Sequence, residues 1–363
     1  MIKYIVPILL IFNSIYGYVG PENSNYIGEG KLLETDYRLA IHIPQQANHG
    51  VVIAVSGSGI KEDHEAFNAN NFVGRYDLVT NESSVSIANK HETMVAGTII
   101  GNSIVHGLRG INPSAKILNL DVEIESGDYS HQAQADAIRY AADNISGNCI
   151  HNMSWQSVGD ANSLIKNALE YAKSKGCMLL TSGGNEGRRT ITVPTNYPDV
   201  GIVSVTGLNA SGEERHELGS VSATLKYAAP FELFSASLTS YTNGSGTSYS
   251  CPIIAGLASL IWGNNPSLDA DGVYAILDLY GEPILNDPIS TTEFKKIDVR
   301  ALVESYVDLH ERVVEADIDG DDAIEQLFLE ISTDKQTGEF LKGYITHILD
   351  DDGTKISIFQ EIH

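Results

Sequence analysis

The sequence predicts a doubly wound α/β fold with a mostly parallel sheet, followed by a small acidic β appendage. The prediction rests on short apolar segments of strand length that alternate along the chain with segments of helical periodicity. Strands that are apolar throughout are typical of a parallel sheet covered by helices on both faces. The chain has 363 residues, 42% of them hydrophobic, which is enough for one large domain with an addition.

The predicted elements alternate in a regular order. Strands are expected at residues 51–55, 115–122, 149–154, 177–181 and 201–205. Helices are expected at residues 92–101, 130–144, 161–175 and 248–262. In the second helix, small and apolar residues recur at helical spacing and define one buried face, namely Ala133, Ala137, Ile138 and Ala141.

Three regions are predicted along the chain: 1–17, 18–303 and 304–363. Residues 1–17 are interpreted as a secretory signal peptide, because Lys3 precedes an apolar run that is too short to span a bilayer. A secreted or periplasmic location follows. Residues 18–303 form the α/β domain, and the acidic residues 304–363 contain three strand-like segments separated by turn signals.

Charge and cysteine content narrow the class of protein. With 23 basic and 47 acidic residues, the net charge of -24 disfavours nucleic acid and anionic membrane surfaces as partners. No later segment reaches transmembrane length, so we expect a protein that is not integral to the membrane. We also expect a monomer. Cys149 and Cys177 each begin an apolar run, which favours two buried thiols over a bridge between them.

Three separated segments carry the residue types of nucleophilic catalysis. His91 begins a helix, Asn185 follows a buried strand, and Ser248 begins another helix after a glycine-rich loop. The free N–H groups and dipole at a helix N-terminus can hold a developing oxyanion, and an asparagine amide can donate to it as well. A histidine can accept the serine proton, because its pKa lies near working pH.

Taken together, these segments resemble the motifs of the subtilisin-like serine proteases. The family motifs H-G-T-H-V-A-G, A-G-N and G-T-S-M-A-x-P correspond to residues 91–97 (HETMVAG), 183–185 (GGN) and 246–252 (GTSYSCP). The resemblance covers about residues 51–303. It implies a serine endopeptidase acting on polypeptides, with no cofactor required for the chemistry. The implied roles are nucleophile for Ser248, general base for His91 and oxyanion donor for Asn185.

The clearest departure lies at the position of the family's triad aspartate. The family motif A-V-x-D-[ST]-G-[IV] reads AVSGSGI at residues 54–60, with Gly57 in place of the aspartate. Glycine offers no side chain to hold the histidine ring in its reactive tautomer. In subtilisin, removing the aspartate lowers turnover on the order of 10⁴-fold. We therefore expect Gly57→Asp to raise turnover, with Ser58 as one donor to the new carboxylate.

Two further departures touch the histidine itself. Glu92 replaces a glycine of the family motif, and Met94 replaces its second histidine. Neighbouring helical side chains do not face each other. The sequence therefore indicates that Glu92 places a stabilising negative charge in the first helical turn and makes no bond to His91. A Ser–His dyad without a third partner is the expected site.

The resemblance also implies the walls of the substrate cleft. Ser154 and Trp155 would border the edge that pairs with the substrate backbone, and Gly183 and Gly184 the opposite wall of the specificity pocket. Trp155 is bulky where the family is small. Two alternatives remain: the indole narrows the cleft, or it packs outside the cleft.

An acidic turn in the appendage is a candidate structural calcium site. Its carboxylates occupy positions 1, 3, 5 and 9 of a tight loop, and calcium prefers several such oxygens converging from one turn. The candidate ligands are Asp317, Asp319, Asp321 and Glu325. A solvated acidic turn is the alternative.

Two functions compete on these observations. The first is a secreted serine endopeptidase, weakened by the loss of the aspartate. The second is an inactive pseudoprotease that binds peptides or proteins. Retention of Ser248, His91 and Asn185 favours the enzyme, and Gly57 opposes full activity. A carboxylate oxygen within about 3 Å of the inner nitrogen of His91 would favour the enzyme.

Overall fold

The computed structural model describes residues 36–362 with gaps at 45–49, 88, 104–105, 125–126, 158–162, 317–324 and 350–354. The predicted signal peptide lies outside the described residues. So do Asp317, Asp319 and Asp321, while Glu325 is described as part of a strand without its side chain. The calcium site therefore stays a prediction.

Seventeen strands are described. They are β1 Val51–Gly57, β2 Phe72–Asp77, β3 Asn102–Ser103, β4 Leu108–Arg109, β5 Lys116–Asp121, β6 Asn148–Met153, β7 Met178–Ser182, β8 Val203–Leu208, β9 Leu225–Pro230, β10 Glu232–Ala236, β11 Tyr241–Ser245, β12 Gly281–Pro283, β13 Lys295–Ile297, β14 Asp308–Ala316, β15 Glu325–Thr333, β16 Phe340–Leu349 and β17 Lys355–Ile362. The α-helices are α1 His91–Ile100, α2 His131–Asn144, α3 Ser163–Ser174, α4 Thr247–Asn264, α5 Ala270–Leu279 and α6 Val299–Tyr306.

The central sheet has nine strands in the order β12-β13-β9-β8-β7-β6-β1-β5-β2. Its pairings are parallel except for the pair β12–β13 at one edge. Alternation along β1 divides the core into two layers, since Ile53 and Val55 pack with α1 and α4 while Ala54 packs with α2 and α3. The predicted α/β fold with a mostly parallel sheet is confirmed.

Strand register brings several carboxyl ends to one edge of the sheet. Gly57 at the end of β1 lies opposite Asp121 at the end of β5, and Ser56 lies opposite Met153 at the end of β6. Open α/β sheets bind their ligands outside the carboxyl ends of the strands. The helices α1 and α4 begin near this edge, so their N-termini and the strand ends share one region.

A disulfide joins β6 to the start of β7, contrary to the sequence-based expectation of two thiols. The parallel register sets Ile150 opposite Met178, which places the preceding residues Cys149 and Cys177 side by side with a Cα–Cα distance of 4.6 Å. This separation suits a disulfide. The prediction of two free thiols was wrong because the register of the two strands cannot be deduced from the apolar runs. Cys251 is free and buried.

Removing this disulfide is expected to destabilise the fold. The bridge closes a loop with a sequence separation of 28 residues. Loss of the loop-closure restraint on the unfolded chain should lower the free energy of unfolding by about 3.6 kcal/mol. Urea unfolding of a Cys149→Ala/Cys177→Ala variant would measure this. Reductant should destabilise the wild type and leave the variant unchanged, and a wild type insensitive to reductant would contradict the bridge.

The C-terminal strands β14–β17 form a separate antiparallel sheet in sequential order. It packs on the 3-10 segment Asp36–His42, where Arg38 pairs with the buried Glu330 and Lys342 Nζ donates to the Ile41 carbonyl at 2.9 Å. The predicted C-terminal β structure is therefore present. No helix in the described ranges is long and apolar enough to cross a membrane.

Candidate active site

The structure brings the predicted nucleophile, base and oxyanion donor to the carboxyl edge of the sheet. His91 is the first residue of α1, Ser248 is the second residue of α4, and Asn185 lies in the loop after β7. The His91 ring lies against the ring of Tyr249, with centroids 5.7 Å apart. Because Tyr249 follows Ser248 directly, this contact places the imidazole at the N-terminus of α4.

Ser248 is anchored through its backbone by Ser154. A proline has no N–H, so Pro252 cannot bond the Ser248 carbonyl four residues earlier in α4. The Ser154 hydroxyl donates to that carbonyl instead, at 2.8 Å. The Ser248 hydroxyl donates in return to the Ser154 carbonyl at 3.1 Å and, among the described residues, not to His91. Ser248 is largely buried, with 9% exposure.

Asn185 is oriented by the first residue of α4. Its amide oxygen accepts hydrogen bonds from the Thr247 N–H at 2.9 Å and the Thr247 hydroxyl at 3.0 Å. The Thr247 hydroxyl also accepts from the Gly184 N–H at 2.9 Å, which ties the loop to the helix. Within the described part of the chain, the Asn185 Nδ2 donates to no protein group. The exposed amide N–H therefore remains available beside Ser248.

Glu92 lies beneath the His91 ring and bonds to it. The Glu92 side chain is 0% exposed, and its Oε1 lies 2.8 Å from His91 Nδ1. Its Oε2 accepts from the Ser58 backbone N–H at 2.8 Å and from the Ser58 hydroxyl. The expectation that Glu92 makes no bond to His91 was wrong. The Ser–His dyad without a third partner is replaced by a site with a carboxylate at the inner nitrogen.

Gly57 provides the space that the Glu92 carboxylate occupies. A Cβ atom at position 57 would lie 1.9 Å from Glu92 Oε1 and 2.1 Å from its Cδ. Real Cβ contacts essentially never fall below 3.0 Å, so a side chain at 57 and the present Glu92 position exclude each other. This finding argues against the expectation that Gly57→Asp alone would raise turnover.

Asn89 connects the parts of the site around His91. Its Oδ1 accepts from the His91 backbone N–H at 2.8 Å and lies 3.0 Å from the Ser58 hydroxyl oxygen, whose single proton is directed at Glu92. Its Nδ2 donates to the Glu123 carboxylate at 3.2 Å. Sequence analysis did not identify Asn89. An asparagine close to a predicted helix start is a general signal of a helix N-terminus, and it could have drawn attention to this residue.

Comparison with known proteins settles the family. Residues 48–278 match the profile of the Subtilase family, Peptidase_S8. The chain belongs to the subtilase family. The predicted resemblance to subtilisin-like serine proteases is thereby confirmed.

This subtilase is similar to several proteases of known sequence or structure. It is 34% identical to thermitase of Thermoactinomyces vulgaris over 218 residues, which are 58% of this chain and 75% of thermitase. It is 31% identical to the M-protease of Shouchella clausii over 63% of this chain and 58% of that protein. A cold-adapted subtilisin-like serine proteinase superposes with a TM-score of 0.61 and 25% identity. That match covers 71% of this chain and 96% of the other.

The His91–Glu92 pair of this subtilase is electrostatically coupled. Burial lowers the pKa of the His91 imidazole, but the charge and hydrogen bond of Glu92 outweigh it and raise the pKa above the ordinary value. Burial raises the pKa of the Glu92 carboxyl, but the charge of His91 and the bonds from His91 and Ser58 outweigh it and lower the pKa. Glu92 is therefore held as a carboxylate, and it stabilises a protonated His91.

The predicted substrate walls divide into those that line the cleft and those that support it. Trp155 is 2% exposed, and its indole N–H donates to the Ser56 hydroxyl at 2.9 Å, so its side chain packs outside the cleft. Gln156 instead extends towards the opposite wall, where its Nε2 donates to the Ser182 carbonyl at 3.1 Å. The Gln156 amide also lies beside Gly184, since a Cβ at position 184 would be 2.9 Å from Gln156 Oε1. Gln156 is thus the bulky residue at this wall.

Gly183 and Gly184 have different constraints. The Gly183 N–H donates to the Val205 carbonyl at 2.8 Å and extends the sheet pairing by one residue. Gly184 has a φ of 103°, a conformation that L side chains rarely adopt. A role of these glycines and Ser154 in substrate contact stays a prediction. Among the described residues, no group of three or more His, Cys, Asp or Glu side chains could hold a metal ion.

Proposed function

We propose that this subtilase is an active serine endopeptidase that hydrolyses polypeptides outside the cytoplasm, with turnover not weakened by the absence of an aspartate at position 57. The observation that carries the proposal is the carboxylate oxygen of Glu92 at 2.8 Å from His91 Nδ1. A glycine at position 57 cannot supply a carboxylate to His91. Glu92 supplies one at Nδ1 instead. The main reason to expect a weakened enzyme is thereby removed.

The proposed reaction uses the geometry of the two helix N-termini. The proton on His91 Nδ1 stays on the ring and forms a hydrogen bond to Glu92. His91 Nε2 therefore has a lone pair that can accept the Ser248 proton. The Ser248 oxygen then attacks the scissile carbonyl, and the oxyanion is held by Asn185 Nδ2 and the N–H groups that begin α4. His91 returns the proton to the leaving amine. Water repeats the sequence on the acyl-enzyme and frees Ser248.

The Ser248 hydroxyl must change its partner for this reaction. It now donates to the Ser154 carbonyl, and rotation about χ1 would direct it towards His91 Nε2. The same bond is the observation that favours the second candidate function, a peptide-binding protein without turnover. In that case the hydroxyl would stay with Ser154 when a peptide enters the cleft.

An extracytoplasmic location is supported by the disulfide between Cys149 and Cys177. Disulfides persist in oxidising compartments and are rare in the cytosol. The predicted signal peptide at residues 1–17 agrees with such a location.

An active-site probe tests the nucleophile. A fluorophosphonate should label the purified protein, and Ser248→Ala should abolish the label, because only an activated serine reacts at a useful rate. Ser245→Ala is the matched control, since Ser245 is an exposed serine at the end of β11, three residues before Ser248. Labelling that survives Ser248→Ala would refute the assignment. A wild-type protein that remains unlabelled at every pH would favour the binding protein.

A further inference from the structure

We propose that Glu92 is the positioning residue of a Ser248–His91–Glu92 triad, and that Gly57 is its obligatory partner because it leaves the room that the carboxylate fills. This inference rests on the proposed function. It goes beyond it by moving the orienting carboxylate from the end of β1 to the second residue of α1.

The Glu92 carboxylate is held by Ser58 at the end of β1, the strand whose end carries the triad aspartate in the family motif. One oxygen of Glu92 accepts from His91 Nδ1 at 2.8 Å, and the other accepts from the Ser58 backbone N–H at 2.8 Å and from the Ser58 hydroxyl. Ser58 directly follows Gly57 at the end of β1. Three donors therefore fix both oxygens against rotation, and they fix them at the place where a side chain from position 57 would project.

Adjacent helical residues can meet here because they begin the helix. Side chains in a helix tilt towards its N-terminus, and no preceding turn of α1 occupies the space below His91. The His91 side chain is 29% exposed and the Glu92 side chain is 0% exposed, so the ring lies closer to the protein surface than the carboxylate. An aspartate at 92 would be one methylene group shorter on this path.

A role in the helix dipole alone does not account for this arrangement. A carboxylate in the first turn stabilises a helix without being fully buried or directed at a neighbouring ring. Burying a charged group is costly unless it is paired and hydrogen-bonded. Glu92 is buried and directed at the imidazole. It accepts the hydrogen bond from Nδ1–H, which leaves Nε2 unprotonated and able to accept a proton.

The charged groups around His91 define a pH signature. Besides Glu92, the groups facing the ring are Glu123, which Asn89 holds, and the phenol of Tyr249. Burial lowers the pKa of His91, and Glu92 is the larger of the two carboxylate contributions that raise it. Removing the charge of Glu92 should therefore lower the pKa of His91. The acid limb of kcat/KM follows deprotonation of His91 in the free enzyme, so this limb should move to lower pH.

Glu92→Gln is the central experiment. It should lower kcat by about 10⁴-fold, as removal of the triad aspartate does in subtilisin, with a much smaller change in KM. The acid limb of kcat/KM should move to lower pH. Glu92→Asp, which keeps the charge on a shorter side chain, should retain more activity than Glu92→Gln. Glu170→Gln is the control: it removes an exposed carboxylate of α3 that contacts none of the site residues, and kcat should stay unchanged.

Proton NMR separates this proposal from the proposed function. In a Ser248→Ala background, a downfield Nδ1–H resonance of His91 should be present, and Glu92→Gln should abolish it and lower the pKa of His91. If the wild type hydrolyses peptides and Glu92→Gln keeps its kcat and pH profile, the positioning role is refuted while the protease stands. If no variant hydrolyses peptides but the resonance depends on Glu92, the proposed function fails and the contact stands. Should Glu92→Gln not fold, Glu92→Asp gives the same measurements, and an unchanged kcat and acid limb in that variant would count against the proposal.

Discussion

Gly57→Ala is expected to lower kcat by about 10⁴-fold, although it adds a single methyl group outside the reacting atoms. The new Cβ would lie 1.9 Å from Glu92 Oε1, and Glu92 is fully buried, so the carboxylate must leave its position at His91 Nδ1. The loss should then match that of removing the carboxylate. Steady-state kinetics with circular dichroism would measure turnover and folding together.

A strand glycine whose nearest neighbour is the end of one flexible side chain is the control for this substitution. A Cβ at Gly74 in β2 would contact only the terminal Cδ1 of Leu118, at 3.2 Å. Gly74→Ala should therefore leave kcat nearly unchanged. A Gly57→Ala variant that folds and turns over like the wild type would show that the two positions are not coupled.

The same steric conflict predicts the outcome of restoring the aspartate. Gly57→Asp alone should fail, because two carboxylates cannot share the space at the end of β1 and their like charges repel. Gly57→Asp/Glu92→Gly, which restores both family residues, should recover most of the turnover lost in the single variant. A single Gly57→Asp variant more active than the wild type would favour the original expectation from sequence.

The fold could be predicted because its signals are local and repeated. The apolar run at 51–55 became β1, and the small-residue segment at 248–262 became the buried helix α4. An apolar strand between amphipathic helices can be recognised from its own segment of the sequence, without knowledge of which distant residues it contacts. The parallel sheet followed from the sum of such segments.

The chemistry at His91 could not be predicted in the same way. The decisive contacts join Glu92 to Ser58 across 34 positions and depend on a void at Gly57. The i,i+1 rule for helical side chains was sound for a helix interior and failed at a helix start, where the space below the first residue is open. The disulfide was missed for a related reason, since the pairing of Cys149 with Cys177 depends on strand register.

Trp155 shows where a motif comparison identifies a position without determining the direction of its side chain. The sequence placed it at the substrate edge, and its backbone does follow β6. The indole nevertheless turns inward, because the Ser56 hydroxyl offers it a buried partner at 2.9 Å. A buried indole N–H needs such a partner, and the sequence does not reveal where one lies.

Asn185→Ala is expected to lower kcat by about 10²–10³-fold with little change in KM. The amide N–H gains its full value only when negative charge develops on the substrate carbonyl, so its loss acts on the transition state and not on substrate binding. Thr247→Val separates orientation from donation. It removes the hydroxyl that holds the Asn185 amide oxygen and keeps the Thr247 N–H that also holds it. Its loss should therefore be smaller than that of Asn185→Ala. Thr247→Val also removes the acceptor of the Gly184 N–H, so any further loss in the Asn185→Ala/Thr247→Val double variant measures that second bond. An Asn185→Ala variant that raises KM while keeping kcat would place the asparagine in substrate binding and leave the oxyanion to the N-terminus of α4.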